Sequence, residues 1–207
     1  MQAEQEPSGD SRDENGGLPD PATVAFTSAP GTSTAPSARA RAGDVVFGAV
    51  AGAVGVWVMD RIGWYMYNHE NSGALRREHQ ARPGGRDVAH AAVAKAAKLA
   101  GRDAPDEPNA TGIAVHYAFG ILPGALYAAA RKSVPALRTG NGALYGVALF
   151  ILLDETIAPA LGIASGPTRY PWQAHLRGLV AHLALGVATE TVLKSGDRRR
   201  NSKATVN

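Results

Sequence analysis

Six ionisable side chains stand out because they interrupt long apolar stretches of the sequence. They are Asp60, His116, Asp154, Glu155, His175 and His182. A charged side chain at the centre of a bilayer costs at least about 2.5 kcal/mol, so such residues usually face other helices and often serve function. Imidazole titrates near neutral pH and binds divalent ions, while carboxylates supply its hydrogen-bond partner. A cluster of these six groups would be able to relay protons or to hold a metal ion.

A structural interpretation of the same residues competes with the functional one. Polar groups on apolar helices also bridge neighbouring helices through hydrogen bonds, and carboxylates near a helix end can be wetted. We favour this interpretation, because the histidines and carboxylates match no HExxH motif and no nucleophile signature. P-loop and dinucleotide fingerprints are absent as well. The sequence therefore predicts no catalytic, cofactor-binding or metal-ligating residue, and no cofactor.

Four apolar segments carry these side chains, at residues 45–67, 111–130, 142–164 and 173–193. Each approaches or exceeds the length of about 20 residues with which a helix crosses roughly 30 Å of hydrocarbon. They are apolar nearly all round, whereas a helix on the surface of a soluble protein has only an apolar stripe. The sequence thus predicts an all-α polytopic membrane protein with four transmembrane helices. A soluble all-helical protein is the alternative.

Glycines spaced four residues apart recur on all four segments. Three pairs are Gly48 and Gly52, Gly120 and Gly124, and Gly142 and Gly146, and on the fourth segment Gly178, His182 and Gly186 repeat the four-residue step. Glycine destabilises an exposed helix by about 1 kcal/mol relative to alanine, but in lipid it allows helix backbones to approach closely. We therefore expect GxxxG-type packing at these eight positions. His116 shares the ridge of the second pair, and His175 and His182 share that of the last.

Composition divides the chain into three regions. Residues 1–43 include a Ser/Thr/Pro/Ala run and have too little apolar surface to offset the entropy of ordering, which predicts a disordered tail. Residues 44–196 form the predicted membrane domain, and residues 197–207 a basic cytoplasmic tail. Within the first loop, residues 87–101 are rich in alanine and begin with Asp87 as a plausible N-cap. They predict a surface helix beside the membrane, with an ordinary solvated helix as the alternative.

The charge distribution bears on partners and orientation. The formal net charge is +3, but the sequence has no basic face interleaved with aromatic residues that would suggest nucleic-acid binding. The expected partners are the lipid bilayer and further copies of the chain in a homo-oligomer. The absence of cysteine excludes disulfides and thiol catalysis. Basic residues near the chain ends and in the second loop favour cytoplasmic termini, although the first loop is basic too. The basic residues near the chain ends and in the second loop are Arg39, Arg41, Arg131, Lys132, Arg138, Lys194, Arg198, Arg199, Arg200 and Lys203.

The order of several residues resembles the YagU-like family of bacterial inner-membrane proteins. The residues that carry the resemblance, between about Asp44 and Gly196, are Gly48, Ala51, Gly52, His116, Tyr127, Pro135, Gly142, Gly146, Pro159, Gly162, Pro171, Trp172, His182 and Glu190. The chain departs from the pattern in its long N-terminal region, at Asp60 and Arg61, and in its basic first loop. The resemblance implies a multi-pass protein of the bacterial cytoplasmic membrane with unassigned activity and a link to acid tolerance. It supplies no catalytic residue.

Three functions remain open at this point. The first is a non-enzymatic membrane protein in acid or envelope stress homeostasis, which conducts or senses protons. The others are an intramembrane His/carboxylate metal-dependent enzyme and a small proton-linked transporter. A transporter is expected to contain an inverted repeat with paired broken helices, for which Pro123 and Pro159 are the sole hint. With four spans it would also need to dimerise.

The membrane assignment predicts that the expressed protein stays in the membrane pellet after alkaline carbonate extraction, because carbonate strips peripheral proteins but leaves spanning helices in lipid. The measurement is an immunoblot of pellet and supernatant. Recovery of the chain in the supernatant would contradict the prediction of four spans.

Overall fold

The computed structural model describes residues 38–205, in which helices are joined by turns and loops and no β-strand is present. In chain order the helices are α1 (Ala38–Asn68), α2 (Ser72–Ala81), α3 (Val88–Leu99), α4 (Ala110–Ala130), α5 (Ala143–Leu149), α6 (Ala158–Ala160) and α7 (Trp172–Thr205). A 3₁₀ segment, Pro135–Gly142, precedes α5, and a π-helical segment, Phe150–Ile157, joins α5 to α6. The predicted all-α class is confirmed for this part of the chain.

Four helical stretches are long and apolar enough to cross a membrane. They are Ala42–Asn68, Ala110–Ala130, Pro135–Ala160 and Trp172–Ser202, and they overlap the four predicted segments. Large apolar side chains point away from the bundle, among them Val46, which is 65% exposed, and Leu126, which is 71% exposed. Such extensive apolar surface is rare on monomeric soluble proteins but is solvated well by lipid tails. The helices therefore indicate a multi-pass membrane protein.

The limits of the elements differ from the predicted ones in several places. The third span lies nearer the N-terminus than residues 142–164 and ends at Ala160, because Gly162 adopts a φ of 63° that does not continue a right-handed helix. Of the predicted tail, residues 1–37 lie outside the described residues, and residues 38–43 belong to α1. The predicted basic tail from residue 197 continues α7 as far as Thr205.

Helix α1 packs against α4 at a point where the two backbones nearly touch. A Cβ atom on Gly52 would lie 2.3 Å from the carbonyl oxygen of Gly120, and one on Gly124 would lie 2.7 Å from the Cα of Gly52. On its other side α1 contacts α7, where the Thr189 hydroxyl donates to the carbonyl of Ala51. Helix α1 therefore lies between α4 and α7.

The third span approaches α7 just as closely. A Cβ on Gly146 would lie 2.1 Å from the carbonyl oxygen of His182, and one on Gly186 would lie 2.3 Å from the carbonyl oxygen of Gly142. The bundle is closed by Tyr127 of α4, which stacks on Tyr145 of α5 with ring centroids 4.1 Å apart. All four spans thus contribute to one core.

The first loop folds over one end of this bundle. Helix α3 occupies most of the predicted surface helix, and the Asp87 side chain caps it by accepting from the backbone N–H of His90. It packs through Ala91 against Ala158 at the end of the third span and against Ile163 beyond it. Helix α2 was not predicted; its apolar residues are few, and Asn71 caps its start. Both helices lie at the end of the bundle where α1 leaves the predicted bilayer and α4 and α7 enter it.

The close approach at Gly146 predicts a strong effect of a very small substitution. Gly146→Ala places a methyl group against the fixed backbone of α7, so the two helices must separate and the thermal midpoint of the protein in detergent should fall by several degrees. Gly63→Ala is the matched control, because it lies in a spanning helix with nothing within 4 Å of the added methyl group. Equal midpoints for the two variants would show that Gly146 is not a contact position.

Candidate functional site

A cavity of about 480 Å³ lies at the end of the bundle that α2 and α3 cover. Its wall is formed by the C-terminal half of α1, the N-terminal half of α4, the π-helical segment and the N-terminal half of α7. We call it the polar cavity. Its ionisable lining residues are Asp60, Glu78, Arg82, Arg86, Asp87, His116, Asp154, Glu155, His175 and Arg177, together with Tyr67 and Tyr170. Five of the six polar residues singled out in the sequence therefore line one cavity.

The π-helical segment explains how two consecutive carboxylates reach the same cavity. Asp154 and Glu155 both lie within it, and its wider turn alters the angle between neighbouring side chains relative to an α-helix. The Thr156 hydroxyl donates to the carbonyl oxygen of Ile151, five residues earlier, at 2.7 Å. This carbonyl lies within the wide turn and gains a hydrogen-bond donor in this way. Short π-helical insertions are frequent at functional sites. The spacing of apolar residues does not distinguish this segment from an α-helix, so the sequence did not reveal it.

Each of the three histidines faces its own carboxylate. His116 Nε2 lies 2.8 Å from Asp60 Oδ1, which joins α4 to α1. His175 Nδ1 lies 2.6 Å from Glu155 Oε1, which joins α7 to the π-helical segment.

His182 is the sixth residue and sits deeper than the other five. Its side chain packs against Phe150, with ring centroids 5.7 Å apart, and is almost fully buried. Nδ1 donates to the carbonyl of Gly178 at 2.9 Å and lies 3.7 Å from Asp154 Oδ2. The third pair is therefore looser than the other two, and its histidine is anchored to its own helix.

The second partner of His175 fixes how many protons this pair must hold. Nε2 lies 2.9 Å from the carbonyl oxygen of Pro167, which accepts hydrogen bonds and cannot donate, so Nε2 carries a proton. The Nδ1 atom faces Glu155 at 2.6 Å, and that contact also needs a proton between the two atoms. The pair therefore holds one proton more than a neutral imidazole beside a free carboxylate.

His90, at the rim of the cavity, provides a contrast. Its Nδ1 lies 2.7 Å from Asp87 Oδ2, but its Nε2 accepts from the backbone N–H of Asn109 at 3.3 Å. A neutral imidazole with its proton on Nδ1 satisfies both contacts. His90 is thus fully bonded without an extra proton.

A network of arginines and glutamates lies beside the histidine pairs. Arg177 of α7 pairs with both Glu70 and Glu78, and Arg82 pairs with Glu78 at 2.7 Å. Burial tends to raise the pKa of Glu78, but hydrogen bonds from Arg177 and Arg82 outweigh it and hold the pKa below its ordinary value. The sequence does not reveal the partners of Arg177, because they lie about 100 residues earlier in the chain.

A second buried network lies at the opposite end of the bundle, where α1 begins and α7 ends. Glu190 is 0% exposed and accepts from the Tyr127 hydroxyl at 2.8 Å and from Arg131 at 3.0 Å. Arg131 also pairs with Asp197, and Arg138 donates to Glu190 at 3.3 Å. These groups are remote along every helix from the polar cavity. Sequence reasoning assigned Arg131 to a solvated basic turn and so missed its partner.

The cavity histidines do not converge on a common point in residues 38–205. The one set of three histidine or carboxylate residues whose ligand atoms all lie within 4.8 Å of one another there is Asp87, His90 and Glu107, at the rim. All three members already have partners, since Asp87 bonds His90 and Glu107 pairs with Arg86 at 2.6 Å. The geometry of the polar cavity is that of separate pairs.

Comparison with known proteins gives a match to a family of unassigned function. Residues 103–191 match the model of a family described as "Protein of unknown function (DUF1440)". The matched region contains α4, the third span and the first part of α7, and thus five of the six predicted polar residues; Asp60 of α1 lies before it. No curated protein and no solved structure matches the chain. The match supports a family of unknown function and does not test the more specific resemblance to the YagU-like family.

The lowered pKa of Glu78 predicts a specific pH dependence of stability. The carboxylate stabilises the folded state above its ordinary pKa of about 4.5, and this contribution is lost as the pH falls through the lower folded value. Glu78→Gln removes one partner of buried Arg177 and should destabilise the protein at pH 7 by about 3 kcal/mol.

The measurement is unfolding in detergent by denaturant between pH 7 and pH 3. The gap in stability between wild type and Glu78→Gln should narrow toward the acid end, because wild type loses the same interaction there. Glu107→Gln is the control, since its pair with Arg86 is partly exposed and worth at most about 1 kcal/mol. A gap of constant size across the pH range would contradict the assignment.

Proposed function

We propose that this chain is a non-enzymatic multi-pass membrane protein that binds and releases protons at the polar cavity. The observation that carries the proposal is the His175 and Glu155 pair, both of whose imidazole nitrogens face acceptors. Such a pair keeps its geometry only while it holds the extra proton. Loss of that proton leaves one of the two hydrogen bonds unmade, so proton release changes both the charge and the contacts of the pair.

The other two pairs extend the same behaviour over the cavity. His116 with Asp60 joins α4 to α1, and His182 with Asp154 joins α7 to the third span. Protonation of an imidazole beside a carboxylate creates an ion pair between two helices, and its loss leaves a carboxylate facing a neutral ring. Proton binding therefore acts on the contacts between the spans, which is where a change of arrangement would begin.

The direction in which the cavity opens follows from the proposed orientation. We place the chain in the bacterial cytoplasmic membrane with both termini in the cytoplasm, as the basic residues at the chain ends favour. Helix α1 then leaves the membrane on the outer side, and the polar cavity opens toward the periplasm. External acid would reach the histidines directly. This supports a role in acid or envelope stress homeostasis, and it agrees with the resemblance to the YagU-like family.

The metal-dependent enzyme is less well supported than proton binding. Its histidines would have to share a ligand position, whereas each of the three faces a different carboxylate. A proton-linked transporter remains compatible with the cavity, because carboxylates that exchange protons can also exchange other cations. Oligomerisation, which a transporter with four spans would need, stays a prediction.

The proposal predicts that stability falls as the pH rises through the range of imidazole titration, because the His175 pair loses the proton that its two hydrogen bonds need. His175→Gln keeps a similar size and one hydrogen-bond donor but does not titrate, so its thermal midpoint in nanodiscs should vary distinctly less between pH 5 and pH 8. His79→Gln, at an exposed position on α2, is the matched control and should behave as wild type.

Two measurements accompany the thermal midpoint. Histidine side-chain NMR should show a titrating signal that His175→Gln removes, and acid survival of a null strain should be restored by wild type but less by His175→Gln at equal membrane abundance. An unchanged pH response in purified His175→Gln would rule out proton binding at this pair. A normal pH response without any survival phenotype would leave proton binding in place and remove the role in acid homeostasis.

A further inference from the structure

A groove runs between the start of α1 and the end of α7, at the end of the bundle opposite the polar cavity. Its volume is about 550 Å³, and it shares no lining residue with the polar cavity. Gly43 and Phe47 of α1 form one wall, and α7 forms the other through a row of residues that includes Val192, Arg199 and Arg200. We call it the basic groove.

The polarity of the basic groove changes along its length. Phe47 and Val192 line the part nearer the middle of the bundle, and Arg199 and Arg200 line the part nearer the helix ends. Arg199 lies seven residues beyond Val192, which is about 10 Å along the helix axis. The headgroup layer on each side of a bilayer is roughly 5–8 Å thick. The groove therefore extends from the headgroup layer into hydrocarbon, with its charged part in the former.

Contacts within the protein hold this shape in place. A Cβ atom on Gly196 would overlap the ring of Phe47, so the glycine lets the ring lie against α7. The guanidinium of Arg200 lies 5.9 Å from the centroid of that ring. It also donates to Asp44 at 2.7 Å and to Asp197 at 2.9 Å, which ties the end of α7 to the start of α1. One arginine of the groove is thus positioned before any ligand binds.

Positive charge exceeds negative charge around the groove. The carboxylates of the described side chains at this end are Asp44, Glu190 and Asp197, and each faces at least two basic groups. Arg198 and Arg199 are exposed and pair with no carboxylate of residues 38–205. The basic groups that share the three carboxylates are Arg131, Lys132, Arg138, Lys194 and Arg200. Seven basic groups thus accompany three carboxylates, which leaves a net charge of +4 and favours an anionic ligand.

The apolar part of the groove distinguishes between possible anions. A guanidinium binds phosphate oxygens through paired hydrogen bonds, and basic pockets between membrane helices bind anionic lipid headgroups. Free phosphate would leave the surface of Phe47 and Val192 uncovered. The N-terminal segment of the chain, residues 1–37, also carries negative charge, with six carboxylates and one arginine. Its charged stretch, residues 4–20, contains Leu18 as its single large apolar side chain and so offers little to the deeper part of the groove.

We propose that the basic groove binds one anionic phospholipid. Its phosphate lies against Arg199 and Arg200, and the upper part of one acyl chain lies against Phe47 and Val192. The volume of the groove falls in the range of roughly 300–1,000 Å³ that is typical of sites for small organic groups. The bound lipid joins the start of α1 to the end of α7. This inference is independent of proton binding, which involves the other end of the bundle.

The test measures lipid binding to the full-length protein in detergent by native mass spectrometry, which resolves the first bound lipid. The probes are phosphatidylglycerol and phosphatidylcholine with identical acyl chains. The first phosphatidylglycerol should bind at least about tenfold more tightly, because two arginines near an anionic headgroup contribute roughly that much. Glycerol phosphate at the same concentration has the charge without the chains and should not displace the lipid.

Two charge variants separate a site from general attraction to a negative surface. Arg199→Gln should weaken phosphatidylglycerol binding about fivefold, as expected for the loss of one basic residue near the headgroup. Arg198→Gln is the matched control, because it removes the same charge from the neighbouring exposed position, which does not line the groove. Its affinity for the lipid should remain within about twofold of wild type, since the diffuse charge it removes contributes less than a direct contact.

A steric variant tests the groove without a change of charge. A Cβ atom on Gly43 would meet nothing within 4 Å, so Gly43→Leu places its side chain in the open groove and leaves the helix packing intact. It should reduce phosphatidylglycerol binding at least as much as Arg199→Gln. Ala42→Leu adds the same apolar bulk at an exposed position outside the groove and should bind lipid as wild type does. Thermal midpoints confirm that all four variants are folded.

Several results would overturn the proposal. Equal affinities for the two lipids would show that the headgroup charge is not recognised. Equal losses in Arg198→Gln and Arg199→Gln, or normal binding to Gly43→Leu, would replace the site by diffuse attraction. Displacement by glycerol phosphate would show that the ligand is a free phosphate compound. Lipid binding that appears only when the six carboxylates of residues 1–37 are changed to amides would identify that segment as the occupant.

Discussion

A charged side chain on a membrane-spanning helix needs a partner inside the protein, because the surrounding hydrocarbon supplies neither water nor counterions. This constraint organises both ends of the bundle. At the end where α1 begins and α7 ends, Glu190 meets Arg131, whose charge is permanent, and both are buried. At the other end the carboxylates meet histidines, whose rings exist either neutral or positively charged. The two ends therefore differ in the kind of side chain that compensates their carboxylates.

Close helix packing is what brings these partners within reach. Glu155 and His175 lie on different elements, and the same is true of Asp60 and His116. The contacts at Gly146 and Gly52 hold the third span against α7 and α4 against α1 with almost no space between backbones. Side chains as short as aspartate can then reach an imidazole across the interface. The small residues in the spans therefore set the distances on which the polar chemistry depends.

The sequence revealed the spans and the unusual polar residues because both depend on composition along one segment. A run of about 20 apolar residues predicts a span whatever surrounds it, and a charge inside such a run stands out without any knowledge of the fold. The sequence did not predict which polar residues pair, because Arg177 and Glu70, for example, come from distant parts of the chain and a single sequence does not relate them. Helix α2 and the π-helical segment were missed for a related reason. Neither has an apolar period of its own, and both depend on the cavity that they enclose.

The polar cavity also shows why residue type and spacing do not determine what a histidine does. His90 and His175 each place Nδ1 beside a carboxylate at nearly the same distance. Their difference lies in the atom opposite Nε2, which is a backbone donor for His90 and the carbonyl of Pro167 for His175. The donor allows a neutral ring, whereas the carbonyl demands a second proton. A single backbone contact thus separates a histidine whose hydrogen bonds are met by a neutral ring from one whose hydrogen bonds need a second proton, and the turn before α7 that presents this carbonyl belongs to the site together with its ionisable residues.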